Sequence, residues 1–531
     1  MYNKFLIILV SFFISLTCYG EQIFHRGNGD EVESLDPAKV TGLPAFNVLI
    51  DLYEGLTTHD QSGNVILGQA QSYTISKDLK TYTFVLKHNL KWSNGDKLTA
   101  QDFVAGMRRT VDPKIGSVYS DILKPIKNAE KIIAGKEPVE SLGLTSKGDK
   151  IVIIELEKPT PYLLELLTHS TTFPIHQPSL KKHGNDFAKP GKLVSNGPFK
   201  LAEWVVNSHI AVVKNPNFRE AEQVKLDKVM FYPIHEASVE LNRYRSGGLD
   251  FTYALPDPQF DWIKKNLKKE LYIAPNLANY YYSFNLEQPP FNNNKNLRKA
   301  LNYAIDKKVI AEKVLRSGQI ANDYFVPDDV ANYDSVAMRD KKINTDRPLK
   351  LSNAERTKLA REYYQQAGYS LEHPAKIKIT YNTQESHKNI AVAIAAMLKK
   401  ELNVKTELVN QEWKVFIRTR LEKKETQLVR EGWTGDYNDP STFLELFTSN
   451  NPQNHSGFKN NNYDKLIEQA ANEADLTRRA AILFDAEKLL IDEAAMIPLY
   501  TLVTRHLVKP RIGGFEPNIL DRTYDRYIYI R

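Results

Sequence analysis

The sequence predicts a mixed α/β protein of two or three domains, and three observations carry that expectation. The chain has 531 residues, more than a single hydrophobic core organises. Short β-prone runs alternate with amphipathic helical segments along its length. No segment recurs at a fixed period, which sets aside solenoids and propellers.

The first element is an export signal. Lys4 precedes an apolar run over residues 5–10 that continues through Phe12, Phe13, Ile14 and Leu16. Cys18-Tyr19-Gly20 then places small residues at the −3 and −1 positions of a cut before Glu21. A positive start, a run of about 12 apolar residues and a small-residue end define a secretory signal peptide, here residues 1–20, cleaved after Gly20. The expected location is the periplasm. Cys18 is the single cysteine. Lipid attachment there is the lesser alternative, because Ser15 stands where that signal prefers an aliphatic residue. Cleavage leaves a mature chain without thiols, which excludes disulfides, cysteine catalysis and thiolate metal sites.

The mature chain begins with a strand over residues 22–26 and a helix over 47–56, with Leu49, Leu52, Tyr53 and Leu56 near i, i+3, i+4, i+7. Residues 81–86 read as a strand, followed by a Ser93-Asn94-Gly95-Asp96 turn. Thr99 with Asp102 three residues on predicts a capped helix start. Further strands are expected at 151–156, 210–213, 229–232 and 377–381. Amphipathic helices are expected at 296–310, 354–367, 388–402, 465–473 and 478–494. The loops between them, rich in Asn and Pro, are too short for flexible linkers, so short hinges should join the domains.

Composition narrows the function. Hydrophobic residues make up 42% and charged residues 25%, ordinary for a globular protein. The net charge of +7 falls by one unit with Lys4, and the basic residues are interspersed with acidic ones. No basic stripe interleaved with aromatics argues for nucleic acid. The 27 tyrosines suit a cleft that needs rigid groups with a polar tip, although ordinary packing accounts for most of them. Signatures of catalysis are missing. There is no His-Glu-x-x-His, and no serine has glycines at both −2 and +2. Gly143 and Gly148 have phosphate-loop spacing, but Asp149 stands where the lysine belongs. Gly27-Asn28-Gly29 opens like a dinucleotide fingerprint, yet Val32 replaces the third glycine. No metal site, cofactor or enzymatic activity is expected.

Six stretches, in order over the mature chain, carry a resemblance. They are Glu31-Val32-Glu33-Ser34-Leu35-Asp36-Pro37 with Asp51-Leu52-Tyr53-Glu54-Gly55-Leu56; Tyr82-Thr83-Phe84; Lys91-Trp92-Ser93-Asn94-Gly95-Asp96 with Thr99-Ala100-Gln101-Asp102-Phe103; Asn242-Arg243-Tyr244-Arg245-Ser246-Gly247; Pro289-Pro290-Phe291-Asn292; and Gly432-Trp433-Thr434-Gly435-Asp436-Tyr437-Asn438-Asp439-Pro440. Together they resemble the oligopeptide-binding members of the solute-binding proteins that serve ATP-binding-cassette importers. The resemblance implies a two-lobed periplasmic-binding-protein fold with a hinge and an additional inserted domain. Lobe I would comprise 21–53, 177–277 and 504–531, the inserted domain II 54–176, and lobe III 278–503.

It also implies a binding mode. Peptides of arbitrary sequence share only a backbone and two charged ends, so a general binder adds them as a strand and anchors the termini ionically. In the family, the strand matching Gly432-Trp433-Thr434 supplies main-chain hydrogen bonds and the aspartate matching Asp436 takes the α-ammonium group. Cationic groups matching Arg430, Arg420 and His387 take the carboxylate, and Trp413 resembles a pocket tryptophan. The plain alternatives are a turn-organising role for Asp436, surface ion pairs for the arginines and core packing for Trp413.

Departures shift the expected ligand. Thr41 and Ser283 stand where well-known oligopeptide binders carry acidic side-chain pockets, which disfavours basic ligands. Ala278 and Thr434 replace a cysteine pair that some members link. The stretch around Asp436 is also similar to the branch that binds murein tripeptide. The expected role is therefore a monomeric carrier of short peptides, partnered by the permease subunits of an importer, without cofactor. A murein-tripeptide binder for wall recycling is the same-class alternative, and a periplasmic hydrolase or peptidase the other-class one.

Overall fold

The computed structural model describes residues 20–40, 42–334 and 347–531, without the side chains of Trp413 and Lys414. Residues 1–19 of the proposed signal, Thr41 and the Trp413 side chain therefore lie outside the described residues.

Local sequence signals produce most elements where they stand. Thr99 and Asp102 form a reciprocal cap, the Thr99 amide donating to Asp102 Oδ2 at 2.8 Å, and start the Ala100–Val111 helix. Gly95 takes φ +92° in the expected turn, where its amide donates to the Trp92 carbonyl at 2.8 Å. Two helices differ from expectation. The segment expected at 47–56 is helical over Leu43–Leu52. Pro44 stands in the first turn, where no amide donor is needed, so the helix begins early. Beyond it the chain passes so close to the next segment that a Cβ on Gly55 would lie 2.8 Å from the Leu167 carbonyl oxygen. The helix expected at 296–310 stops after Lys295–Ala304. Asp306 accepts the Val309 amide at 3.0 Å and so caps a new turn rather than extending the old one.

Among the described residues three sheets organise the chain. The first runs Ile23–Gly27, Lys228–Tyr232, His209–Lys214, Phe199–Val205, with its first pair parallel and the rest antiparallel. The second, Ala70–Ile75, Thr81–Leu86, Ile151–Glu155, Leu144–Lys147, is antiparallel throughout. These two share one continuous buried core in which Phe24, Phe199 and Phe231 join Phe84, Phe103 and Met107. The segment expected as domain II and the sheet of lobe I are thus welded through apolar packing.

Ion pairs weld them further. Glu54 accepts from Arg219 at 2.8 and 2.9 Å, from Arg526 at 2.5 Å and from Gln69 at 2.8 Å. This buried carboxylate ties residues 54, 69, 219 and 526 together, from pieces far apart in the chain. Burial pushes its carboxyl up, but the two guanidiniums outweigh that and hold it below the usual range.

The third sheet has six strands in the order Ile320–Ala321, Met496–Leu507, Leu271–Phe284, Leu428–Thr434, Lys376–Asn382, Lys405–Gln411. One face packs Tyr280, Tyr282 and Ile379 against Ile390, Ile394 and Leu398 of the Glu385–Leu402 helix. The other packs Tyr281 against Phe325, Phe443 and Phe484. Two long antiparallel strands, Leu271–Phe284 and Met496–Leu507, connect this lobe to the first body. Their register runs from Leu271↔Leu507 to Pro275↔Val503, breaks, and resumes at Asn279↔Thr501. The pairing with Met496–Leu507 is interrupted at residues 276–278, where the Leu277 amide donates to the Ile519 carbonyl and its carbonyl accepts from Gly435, both at 2.8 Å.

Candidate functional site

The strand Leu428–Thr434 forms one wall of the cleft between the two bodies. It pairs along its whole length with the long strand of residues 271–284, from Phe284↔Leu428 to Ala278↔Thr434. On its other side the Lys376–Asn382 strand meets it only at Ile379↔Leu428 and Thr380↔Val429, then continues with Lys405–Gln411 instead. Residues 430–434 therefore present an open backbone edge, including the Gly432-Trp433-Thr434 stretch. Such an edge is a template for another strand. Ala278 and Thr434, expected in place of a cysteine pair, are direct cross-strand partners.

A carboxylate stands beyond the C-terminal end of this edge. The turn that follows is organised by Asp439, whose side chain accepts from the Ser441 amide at 2.9 Å and receives a bidentate Arg479 at 2.7 and 2.8 Å. Asn438 Oδ1 accepts the Ala331 amide at 3.0 Å. The Asp436 carboxylate takes no part, and among the described residues it meets no cation within ion-pair distance. Only its amide is engaged, donating to Thr442 Oγ1 at 3.2 Å. Asp436 borders a cavity of about 610 Å³, shared with Tyr437 from its own lobe and Tyr119, Lys158 and Tyr162 from the other body. Solvent reaches the side chain, yet the crowded concave wall desolvates it and pushes its pKa above the usual value. The turn-organising alternative thus passes to Asp439, and Asp436 is a free anion facing a cavity.

A guanidinium stands at the other end. Side chains alternate along a strand, so Arg430 shares a face with Gly432 and their cross-strand partners Tyr282 and Tyr280. Its guanidinium carbon lies 4.9 Å from the Tyr280 ring centroid, and no carboxylate pairs with it among the described residues. A Cβ on Gly432 would come within 3.6 Å of Arg430 Nη2. His387 joins this group, its Nδ1 3.0 Å from the Tyr280 hydroxyl. Burial first and the Arg430 charge second push His387 down to about 3. It is a neutral hydrogen-bonding partner at physiological pH, not a cation.

Arg420 lies elsewhere. Its Nη1 donates to the buried Glu431 at 2.6 Å, and His455 Nδ1 lies 3.1 Å from the other Glu431 oxygen. Glu431 neighbours Arg430 in the strand and so points to the opposite face. The structure brings Arg430 and His387 together and leaves Arg420 on the other side of the sheet. Trp433 is half-buried, its indole donating to Thr442 Oγ1 at 3.4 Å, and contributes through its backbone to the open edge. Trp413 begins the Trp413–Glu422 helix, but its side chain lies outside the described residues.

Tyr119 and Tyr162 gave no sequence signal, and Tyr437 gave one only as part of the 432–440 stretch. Tyr162 and Tyr437 stack across the two bodies with ring centroids 4.4 Å apart at 7°. Tyr119 packs on His169, which stacks on Phe46. Aromatics this scattered have no spacing that marks them, because only the fold gathers them.

Comparison with known proteins places this geometry. The model for bacterial extracellular solute-binding proteins, family 5 Middle, matches residues 64–455. The chain is 35% identical over 519 residues to the periplasmic oligopeptide-binding protein OppA of Escherichia coli, covering 97% of this chain and 94% of that one. It is 37% identical over 507 residues to the periplasmic murein peptide-binding protein MppA of the same organism, covering 94% and 92%. It is also 35% identical over 545 residues, the whole of both chains, to a probable deoxycholate-binding periplasmic protein, YgiS, again of Escherichia coli. Among solved structures, the unliganded open form of MppA superposes with a TM-score of 0.89 at 36% identity, covering 96% of this chain and 97% of that one. A second structure of Escherichia coli MppA, equally identical and covering 96% and 98%, gives only 0.73. At equal identity, the superposition is thus better on the form described as unliganded and open.

Proposed function

We propose that this chain, which belongs to family 5 of the bacterial extracellular solute-binding proteins, captures short peptides in the periplasm and delivers them to an ATP-binding-cassette importer. One observation carries the reading: among the described residues, an open strand edge stands between a carboxylate without a cation and a guanidinium without a carboxylate. A peptide added there directs its ammonium group to Asp436 and its carboxylate to Arg430, and therefore runs antiparallel to the Leu428–Thr434 strand. The open edge over residues 430–434 spans four residue steps, about 13 Å, with Arg430 at one end and Asp436 just beyond the other, so peptides of about three or four residues suit it. His387 donates or accepts beside Arg430 as a neutral partner. Arg420 acts through Glu431, as a positioning residue for the strand.

Closure completes the site. The two bodies bend at the register break of the connecting strands, bury the peptide and strengthen both terminal ion pairs by excluding water. The closed, monomeric carrier is then read by the permease subunits, and the peptide passes on intact, without turnover. Residues 1–20 direct export and are removed by cleavage after Gly20. The free Asp436 also separates this ligand class from a bile acid, which offers a carboxylate but no amine. A murein peptide is the second reading, favoured by the likeness of the stretch around Asp436 to the murein-tripeptide branch and by the 37% identity to the murein peptide-binding protein MppA.

Calorimetric titration with unblocked alanine peptides of two to five residues tests the proposal. Binding should be strongest near three or four residues and should contract the protein in small-angle scattering. Absence of binding at every length contradicts it.

A further inference from the structure

Behind Tyr119, which lines the cavity that Asp436 borders, stands a second guanidinium. Arg522 sits in a loop that Asn518 clamps at both ends, the Arg522 amide donating to Asn518 Oδ1 at 3.2 Å and Asn518 Nδ2 to the Arg522 carbonyl at 2.7 Å. Asn518 Nδ2 also donates to the Gln61 carbonyl at 3.1 Å, and the neighbouring Asp521 is fixed by His506 Nε2 at 2.6 Å. The loop is thus held before any ligand arrives. Arg522 lies over the Phe46 ring, 4.6 Å from its centroid, with Nη1 3.5 Å from His59 Nδ1. Among the described residues no carboxylate pairs with it. The nearby Glu165 is instead taken by His59 Nε2 at 3.0 Å.

Phe46 leads from Arg522 to a second donor. His169 stacks on Phe46 at 5.7 Å and meets Tyr119 at a tilt, ring centroids 5.3 Å apart, and Tyr119 lines the cavity that Asp436 borders. The Thr171 amide donates to His169 Nδ1 at 3.3 Å. A ring nitrogen that accepts an amide proton carries none itself, so the His169 proton resides on Nε2. Burial and the Arg522 charge hold this ring neutral, at about 3. Leu43, 62% exposed, precedes Phe46 on the same helix.

We propose that Arg522 and the His169 Nε2–H form an anion-reading subsite beside Phe46, one that selects peptides bearing a side-chain carboxylate. It rests on the peptide-binding reading above and adds a specificity that the terminal anchors lack. A guanidinium fork suits a carboxylate better than an amide. Phe46 and Tyr119 supply aromatic surface beside the pair, and among the described residues no carboxylate pairs with Arg522.

The test uses tetra-alanine peptides with Glu or Gln substituted at each position in turn, titrated into the mature protein and into Arg522→Gln and Arg522→Lys. For one position the wild-type protein should prefer Glu over Gln by about tenfold, the scale of a hydrogen bond to a charged partner. The preference should vanish in Arg522→Gln and partly return in Arg522→Lys, while tetra-alanine affinity stays within about twofold in all three. A protein that binds tetra-alanine but shows no Glu preference, or keeps it in Arg522→Gln, overturns the subsite and leaves peptide binding intact. A protein that binds none of the peptides overturns both.

Discussion

Replacing Asp436 by asparagine keeps the shape and the Thr442 contact of the backbone while removing the negative charge proposed to meet the ligand's ammonium group. Truncating one member of a buried charge pair costs about 2–5 kcal/mol. The lower end applies here. Asp436 is solvent-reached in the open form and already carries a desolvation penalty, visible as its raised pKa. The expected loss is therefore about 2–3 kcal/mol, roughly 30- to 150-fold in Kd. Calorimetry with a free tripeptide and its N-acetyl derivative closes a double-mutant cycle. Wild-type protein should lose affinity for the acetylated peptide by a similar factor, and Asp436→Asn should scarcely distinguish the two. Affinity within about twofold of wild type, or equal acetylation penalties in both proteins, refutes the ammonium anchor. The pH dependence carries the same sign. Binding needs the ionised carboxylate, so affinity should hold near neutrality and fall as pH drops through the raised pKa of free Asp436.

Further outcomes follow from the same geometry. Arg430→Gln should weaken free peptides about tenfold, with little effect on C-terminally amidated ones, by the scale of a charged hydrogen bond; it should also let the His387 pKa rise from about 3, readable by NMR, because the Arg430 charge is one of its two depressing causes. Tyr162→Leu removes the stack with Tyr437 that joins the two bodies in the open form. An aromatic pair contributes about 0.5–1.5 kcal/mol, so peptide affinity should rise by roughly two- to tenfold if the open state alone holds the stack, with a smaller radius of gyration before ligand. Asp51→Asn should stabilise the fold near neutral pH. Asp51 is fully buried beside Asp525, with Arg26 paired to Asp525 at 2.8 Å, and burial followed by the Asp525 charge raises its pKa well above the usual value. A raised acid binds its proton more tightly folded than unfolded, so wild-type stability declines as pH climbs above about 4, where the unfolded carboxyl ionises. The gain in melting temperature for Asp51→Asn should accordingly be present at pH 7 and vanish near pH 3.

The sequence specified local structure well where the signal was itself local. The Thr99–Asp102 cap and the strand Thr81–Leu86 form because spacing and turn chemistry act within a few residues. The Leu43–Leu52 helix was placed several residues late because apolar spacing continued past Leu52 while tertiary contacts pulled the chain extended at Tyr53. Asp436 and Arg430 were legible through the flanking match, whereas their freedom from partners was not: it depends on Asp439 capturing Arg479 and on the departure of the Lys376–Asn382 strand. Arg420 illustrates the converse. Its place in the sequence sits beside the strand, but Glu431 draws it to the other face. Arg522 lies about 350 residues from His169 and carried no signal, because only the fold brings the last segment against Phe46.

The most direct experiment is mass spectrometry of whatever the natively purified protein releases on denaturation. Short peptides with free termini are predicted, unrelated in sequence and enriched in acidic residues, or a single murein peptide species under the second reading. A bile acid or another ligand without an amine, retained in stoichiometric amount, would contradict the pairing of Asp436 and Arg430 with the two ends of a peptide.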